Sequence, residues 1–179
     1  TTILSAITHS VGSISVASDP SGFSHIFFNA IQFPINRWVN LYYAKIDDRD
    51  GRVVYTRTLT VGAPEPPWYR VAWSIAYSHG RVHFAWHELN SIPDGIHYAQ
   101  YNADNGQAII SDLHIEEITN WAIGPRVTTT DDGTRINIVW KGDSVSGNPY
   151  TEDLFFTQLD LSGGIIVPTM RLSNQEYGI

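Results

Sequence analysis

Three anchors recur in the same order along this chain, and a repeat limits the fold more than any single residue does, because each copy must present the same surfaces to its neighbours. The first anchor is a glycine followed by an alternating apolar segment that closes on a large aromatic. It occurs at residues 22–28 (GFSHIFF), 80–86 (GRVHFAW) and 133–140 (GTRINIVW), with the closing aromatics 58 and 54 positions apart. A short aromatic segment follows each time, at 41–44 (LYYA), 96–99 (IHYA) and 154–157 (LFFT), with offsets of 55 and 58. The third anchor is a polar turn with a glycine, at Gly51, Gly106 and Gly163, 55 and 57 positions apart, each opening another β-prone run. One more such run precedes each first anchor, at 13–17, 73–77 and 127–130.

The unit is therefore four strands closed by hairpin-type turns, and wherever apolar residues recur the period is two, with no amphipathic helical stretch. Four-stranded antiparallel units at this spacing read as propeller blades. A many-stranded β-sandwich has a similar strand count, but its strands have no reason to recur in groups of four with matching anchors. The expectation is an all-β protein of three four-stranded antiparallel blades, at about 12–61, 70–119 and 124–173, each running from inner to outer strand. Residues 1–7 (TTILSAI) read as a lone outer strand preceding them. Closed propellers typically have four to eight blades. The chain is thus expected to be part of a larger propeller, with self-association of copies as the other way to complete a ring. It starts at Thr1 with neither an initiator Met nor a signal peptide, which reads as processed, excised or truncated.

Charge and composition narrow the partners. Eighteen acidic against eleven basic side chains give a net charge of −7, which repels a nucleic-acid backbone. Apolar runs are only a few residues long, so no membrane span is expected. Without cysteine there are no disulfides or thiolate metal sites.

The pattern resembles the BNR or Asp-box class of sialidase-like propellers. In that class a strand of the form Gly-x-h-h-h-x-Trp is followed by a short aromatic strand and a D-x-x-G style turn. The matching pieces are 80–86 with 96–99 and 104–106, and 133–140 with 154–157 and 160–163, besides a looser first copy. A strict Ser-x-Asp-x-Gly-x-x-Trp box is absent: residues 48–51, 102–106 and 160–163 keep the acidic or amide turn and its glycine but lack the Trp. In the family this box is a structural turn remote from the active site, so its presence would not indicate catalysis.

The resemblance implies that ligands bind on the face built by loops between second and third strands and between blades. Here those loops are 29–40, 61–70, 87–95, 116–124 and 141–153. They carry Phe33, Trp38, Trp68, Tyr69, Arg70, Trp121 and Tyr150, and Arg126, just past the fourth loop, is a further ligand-binding candidate. Aromatic faces stack on sugar rings while neighbouring polar groups fix hydroxyls, which is the composition a carbohydrate site needs. The competing role for each aromatic is filling gaps between blades. Trp86 and Trp140 end alternating strands and belong to the core.

Sialidases add an arginine cluster and a pair of acid–base groups. Arg37, Arg70 and Arg126 are available, with Glu88, Asp94, Glu116, Glu117 and Glu152 as loop acids, but none falls in a catalytic motif. Loop charges of this kind face solvent, so no catalytic residue is assigned. The pairs His79/His83 and His83/His87 have a spacing that suggests metal only on a helix, and the acidic turn at 47–51 lacks the distal Glu of a calcium loop. No metal site and no cofactor are expected. The leading expectation is a non-catalytic, carbohydrate-binding or scaffold module of an exported or cell-surface protein. The alternatives are part of a sialidase-like glycoside hydrolase with an incomplete active site, and a structural assembly protein.

Overall fold

In the computed structural model, residues 9–32, 39–60, 69–89, 95–115, 122–143 and 152–173 are described. They form twelve strands in three four-stranded antiparallel sheets. The first holds β1 (His9–Asp19), β2 (Phe23–Gln32), β3 (Val39–Asp47) and β4 (Arg52–Thr60). The second holds β5 (Tyr69–Ser78), β6 (Arg81–Leu89), β7 (Gly95–Asn102) and β8 (Ala108–Ile115), and the third β9 (Ala122–Thr129), β10 (Arg135–Asp143), β11 (Glu152–Asp160) and β12 (Ile165–Arg171). Each sheet is a simple meander in chain order. The first strands β1, β5 and β9 are spatial neighbours in succession. These sheets are blades of a β-propeller. The segment 1–7, expected as an outer strand, lies outside the described residues.

Side-chain oxygens fold the turns. Asp19 Oδ1 accepts the Ser21 amide (2.7 Å) at the β1–β2 turn, and Asp132 Oδ1 accepts the Thr134 amide (3.0 Å) at the β9–β10 turn. The β3–β4, β7–β8 and β11–β12 turns use Asp47, Asn102 and Asp160 at equivalent places. Asp47 Oδ1 accepts the Arg49 amide (3.1 Å), Asn102 Oδ1 the Asp104 amide (2.8 Å), and Asp160 Oδ1 the amides of Ser162 (2.8 Å) and Gly164 (2.8 Å). These are Asx turns, in which a short polar side chain substitutes for a backbone acceptor. The acidic turns are therefore hairpin closures.

Two apolar clusters join the blades. Phe27, Leu41 and Tyr43 of the first blade pack on Val82, Phe84, Trp86, Ala99 and Tyr101 of the second. On its opposite face the second blade packs Ala85, Ile96 and Tyr98 against Val127, Ile136, Ile138, Trp140, Phe155 and Leu159 of the third. The middle blade is thus covered on both sides, and β7 is buried from Gly95 through Tyr101 while β12 stays largely exposed. Trp86 and Trp140 are core residues, as their strands predict. Burying a large apolar side chain of this kind contributes roughly 1.5–3 kcal/mol.

Polar ties cross the same joints. Lys45, itself buried, donates from Nζ to the Ala103 carbonyl (2.9 Å), which also accepts the Tyr55 hydroxyl (2.8 Å). Tyr55 in turn meets Tyr43 (2.8 Å), Tyr43 meets His25 Nδ1 (2.7 Å), and His25 Nε2 meets Asp19 (3.0 Å). Gly106 must be a glycine: its φ is +67°, and a Cβ would sit 2.7 Å from the Tyr55 ring. Between the second and third blades, Ser74 Oγ accepts the Val127 amide (3.0 Å).

Candidate functional site

An antiparallel meander sorts its connections to two ends. The turns at 20–22, 48–51, 79–80, 103–107, 130–134 and 161–164 lie at one end of the strands. The segments 33–38, 61–68, 90–94, 116–121 and 144–151 join strand ends at the other, which we call the loop end. Trp38, Trp68, Trp121 and Tyr150 belong to these segments and lie outside the described residues. Tyr69 and Arg70 open β5, where their backbones pair with Leu89 and Glu88 of β6. Arg126 is on β9 opposite Val139 and is solvent-exposed. Arg70 and Arg126 therefore stand on adjacent first strands.

All three first strands are irregular near the loop end. The register shifts between Val11 and Ile14 in β1, between Ala72 and Ser74 in β5, and in β9 where Ile123 and Arg126 oppose Lys141 and Val139. Within the last of these, Gly124 has φ +64°. Bulges bend a strand and re-aim its side chains, and they concentrate at barrel rims and beside functional sites. In β1 the irregularity is held by Asn29, whose Oδ1 accepts the Ser13 amide (2.5 Å) and hydroxyl (3.0 Å).

The loop end of the second blade carries a buried polar cluster around Glu88. Glu88 is the penultimate residue of β6 and only 5% exposed, not a solvent-facing loop acid as expected. Both faces of this blade are covered, so the end of β6 is enclosed by its neighbours. Its Oε1 accepts the Trp86 indole N–H (3.2 Å). The Trp86 ring stacks on His97 of the next strand (5.4 Å between centroids), and His97 Nδ1 donates to Asp112 Oδ1 (2.8 Å). Since a carboxylate only accepts, that bond places the proton on Nδ1 and leaves the Nε2 lone pair free. Nε2 is buried and has no hydrogen-bond partner among the described residues. Gly95, paired with Glu88, has no side chain, and a Cβ there would meet His114 Nε2 at 2.7 Å. His114 lies 5.1 Å from His97.

An imidazole oriented by Asp112 and stacked on the tryptophan that binds a buried carboxyl can hydrogen-bond a polar ligand through Nε2. No group of three or more metal-ligating side chains occurs among the described residues. The signal for this cluster was present but weak. His97 interrupts an otherwise apolar aromatic strand, yet alternation alone could not say that its face is covered.

No protein-family model and no curated protein matches the chain. Among solved structures it is similar to the GH43 endo-arabinanase from Bacillus licheniformis, with a TM-score of 0.52 and 11% identity over 88% of this chain. That protein is a five-bladed β-propeller, and this chain spans 58% of its length. At this identity the likeness concerns the fold.

Proposed function

We propose that this chain is a non-catalytic ligand-binding module of a β-propeller that recognises carbohydrate at its loop end and acts outside the cell. The observation that carries the reading is the sorting of its connections. In the sequence Trp38, Trp68, Trp121 and Tyr150 fall between strands whose ends meet at the loop end, Tyr69 and Arg70 open β5 there, and Arg126 lies midway along β9. Bulged first strands lie beneath. Large aromatics with a few directed polar groups suit saccharides, whose rings offer CH faces and whose edges offer hydroxyls. The propeller neighbour is an endo-arabinanase by name, which supports a carbohydrate as ligand class. The resemblance to sialidase-like repeats belongs to the same proposal. Calorimetry with the intact chain against a panel of plant and animal oligosaccharides is expected to find a binder. Trp38→Ala and Trp121→Ala would each weaken it about tenfold, roughly 1.4 kcal/mol. Silence across the panel, or unchanged affinity in both variants, overturns the reading.

A second reading, glycoside cleavage, is favoured by Glu88. It is a buried carboxyl at the loop end that accepts the Trp86 indole N–H, and glycosidases act through carboxyl groups placed beside the scissile bond. Release of reducing sugar from arabinan or sialyllactose by the chain, abolished in Glu88→Gln, would support it. Equal release in Glu88→Gln, or none, excludes this role for Glu88.

A further inference from the structure

At the turn end, opposite the face just described, an open groove of about 400 Å³ is lined by residues from all three blades. Pro20 comes from the first, Tyr77, Ser78 and His79 from the second, and Thr129, Thr130 and Asp131 from the third. We propose that this groove is a second binding site, which takes a neutral polyhydroxylated ligand of saccharide size.

The chemistry of the lining selects that class. Thr129 supplies a hydroxyl that both donates and accepts, Ser78 a hydroxyl shared with His79, and Asp131 a carboxylate acceptor. Among the described residues no lysine or arginine lines the groove, which disfavours an anion. The Tyr77 ring is held from two sides: it stacks on His25 (5.4 Å, 13° between planes), and its hydroxyl accepts the Gly80 amide (3.2 Å). A fixed aromatic wall beside hydroxyls is what a sugar ring with one apolar face requires. The volume falls within the range common for small-ligand clefts.

His79 is the organising residue. It has φ +48° and is followed by Gly80 at φ +74°, a two-residue hairpin usually filled by Asn-Gly. Histidine in that place adds an imidazole, and Ser78 Oγ meets its Nδ1 at 2.8 Å. With Nδ1 engaged by the hydroxyl, Nε2 is the nitrogen left for a ligand. The third blade makes room for the ring: Gly133 has φ +65°, and a Cβ there would collide with the His79 ring and lie 2.6 Å from Ser78 Oγ. The turn of one blade is thus shaped around the imidazole of another.

The test follows the His79 ring resonances by NMR while the intact chain is titrated with L-arabinose, D-galactose or maltose, and separately with sodium sulfate. A saturable shift with at least one sugar is expected. Asp131→Asn and Thr129→Val, with unchanged circular dichroism, should each weaken it about tenfold. Trp38→Ala should leave it intact, which separates this groove from the loop end. No saturable shift with any of the three sugars overturns the proposal. So does a shift equally strong in Asp131→Asn, or a stronger response to sulfate than to sugar.

Discussion

Trp86 and Trp140 stand at the same place in successive copies, each at the closing aromatic of its strand and each against the preceding blade. Replacing either with alanine opens a cavity the size of an indole in a joint between blades. A loss of about 3–5 kcal/mol is expected from urea unfolding, whereas Met170→Ala on the exposed β12 should change stability by less than about 0.5 kcal/mol. Histidines repeat as well. His25 and His83 are equivalent, and each places Nδ1 on a tyrosine hydroxyl, Tyr43 (2.7 Å) and Tyr98 (2.8 Å). The third copy has Asn137 there, which accepts from Gln158 Nε2 (2.8 Å). Burial pushes His83 and His87 down to about 4, with the Arg81 charge adding to the effect on His83. Because their folded values lie below the unfolded value, stability from these neutral imidazoles is fully present above about pH 6.5 and lost as pH falls toward 4. The contribution is on the order of 3 kcal/mol each. The urea midpoint should therefore fall between pH 6.5 and 4, and less steeply in His83→Gln; an identical slope in the variant would contradict this.

At the scale of the element, the hairpin turn is the repeated device. Hydrogen bonds from Arg49 hold Asp47 near 2, and those from Thr130 and Thr134 hold Asp132 near 2. Depressed values of this kind stabilise the turns above about pH 4 and fail only as pH drops toward 2, a window below that of the histidines. Asp160→Ala removes the acceptor for two backbone amides and the Ser162 hydroxyl at the β11–β12 turn. A cost of about 1–2 kcal/mol is expected, read as a shift in thermal midpoint. Gly133→Ala should cost more than Gly51→Ala. Both glycines have positive φ, but only at Gly133 does the added carbon meet the neighbouring blade, whereas at Gly51 it meets open space. Turns and glycines were legible as punctuation. That Asp47, Asn102 and Asp160 serve one purpose became clear only from the equivalent hydrogen bonds.

Among the described residues the three blades pack in succession, and the middle blade meets a neighbour on each face. On the first blade Ile14 is 61% and Val16 55% exposed, two positions apart on the same face of β1. Apolar pairs left open in this way promote association. Light scattering at rising concentration is expected to show growth in mass that the double substitution Ile14→Lys, Val16→Lys reduces, with the unfolding midpoint unchanged. Equal growth in the variant would place association elsewhere. The packing of blades also explains why the candidate site was only partly legible. Which connections share an end was legible because those of a meander alternate, whereas Trp38, Trp68, Trp121 and Tyr150 on them lie outside the described residues. The burial of Glu88 and His97 could not be read, because it depends on both faces of the second blade being covered.

Local order in this chain follows from residue type alone. A period of two, glycines at fixed offsets and short polar turn residues determine four strands per copy and their pairing, since each of these rests on contacts within a few tens of residues. Tertiary structure decided the rest: which blade is covered on both faces, which polar side chains are thereby enclosed, and that turns from three copies meet around one groove. Alternation assigns side chains to faces, but only the packing of one blade on the next determines whether a face meets water or protein.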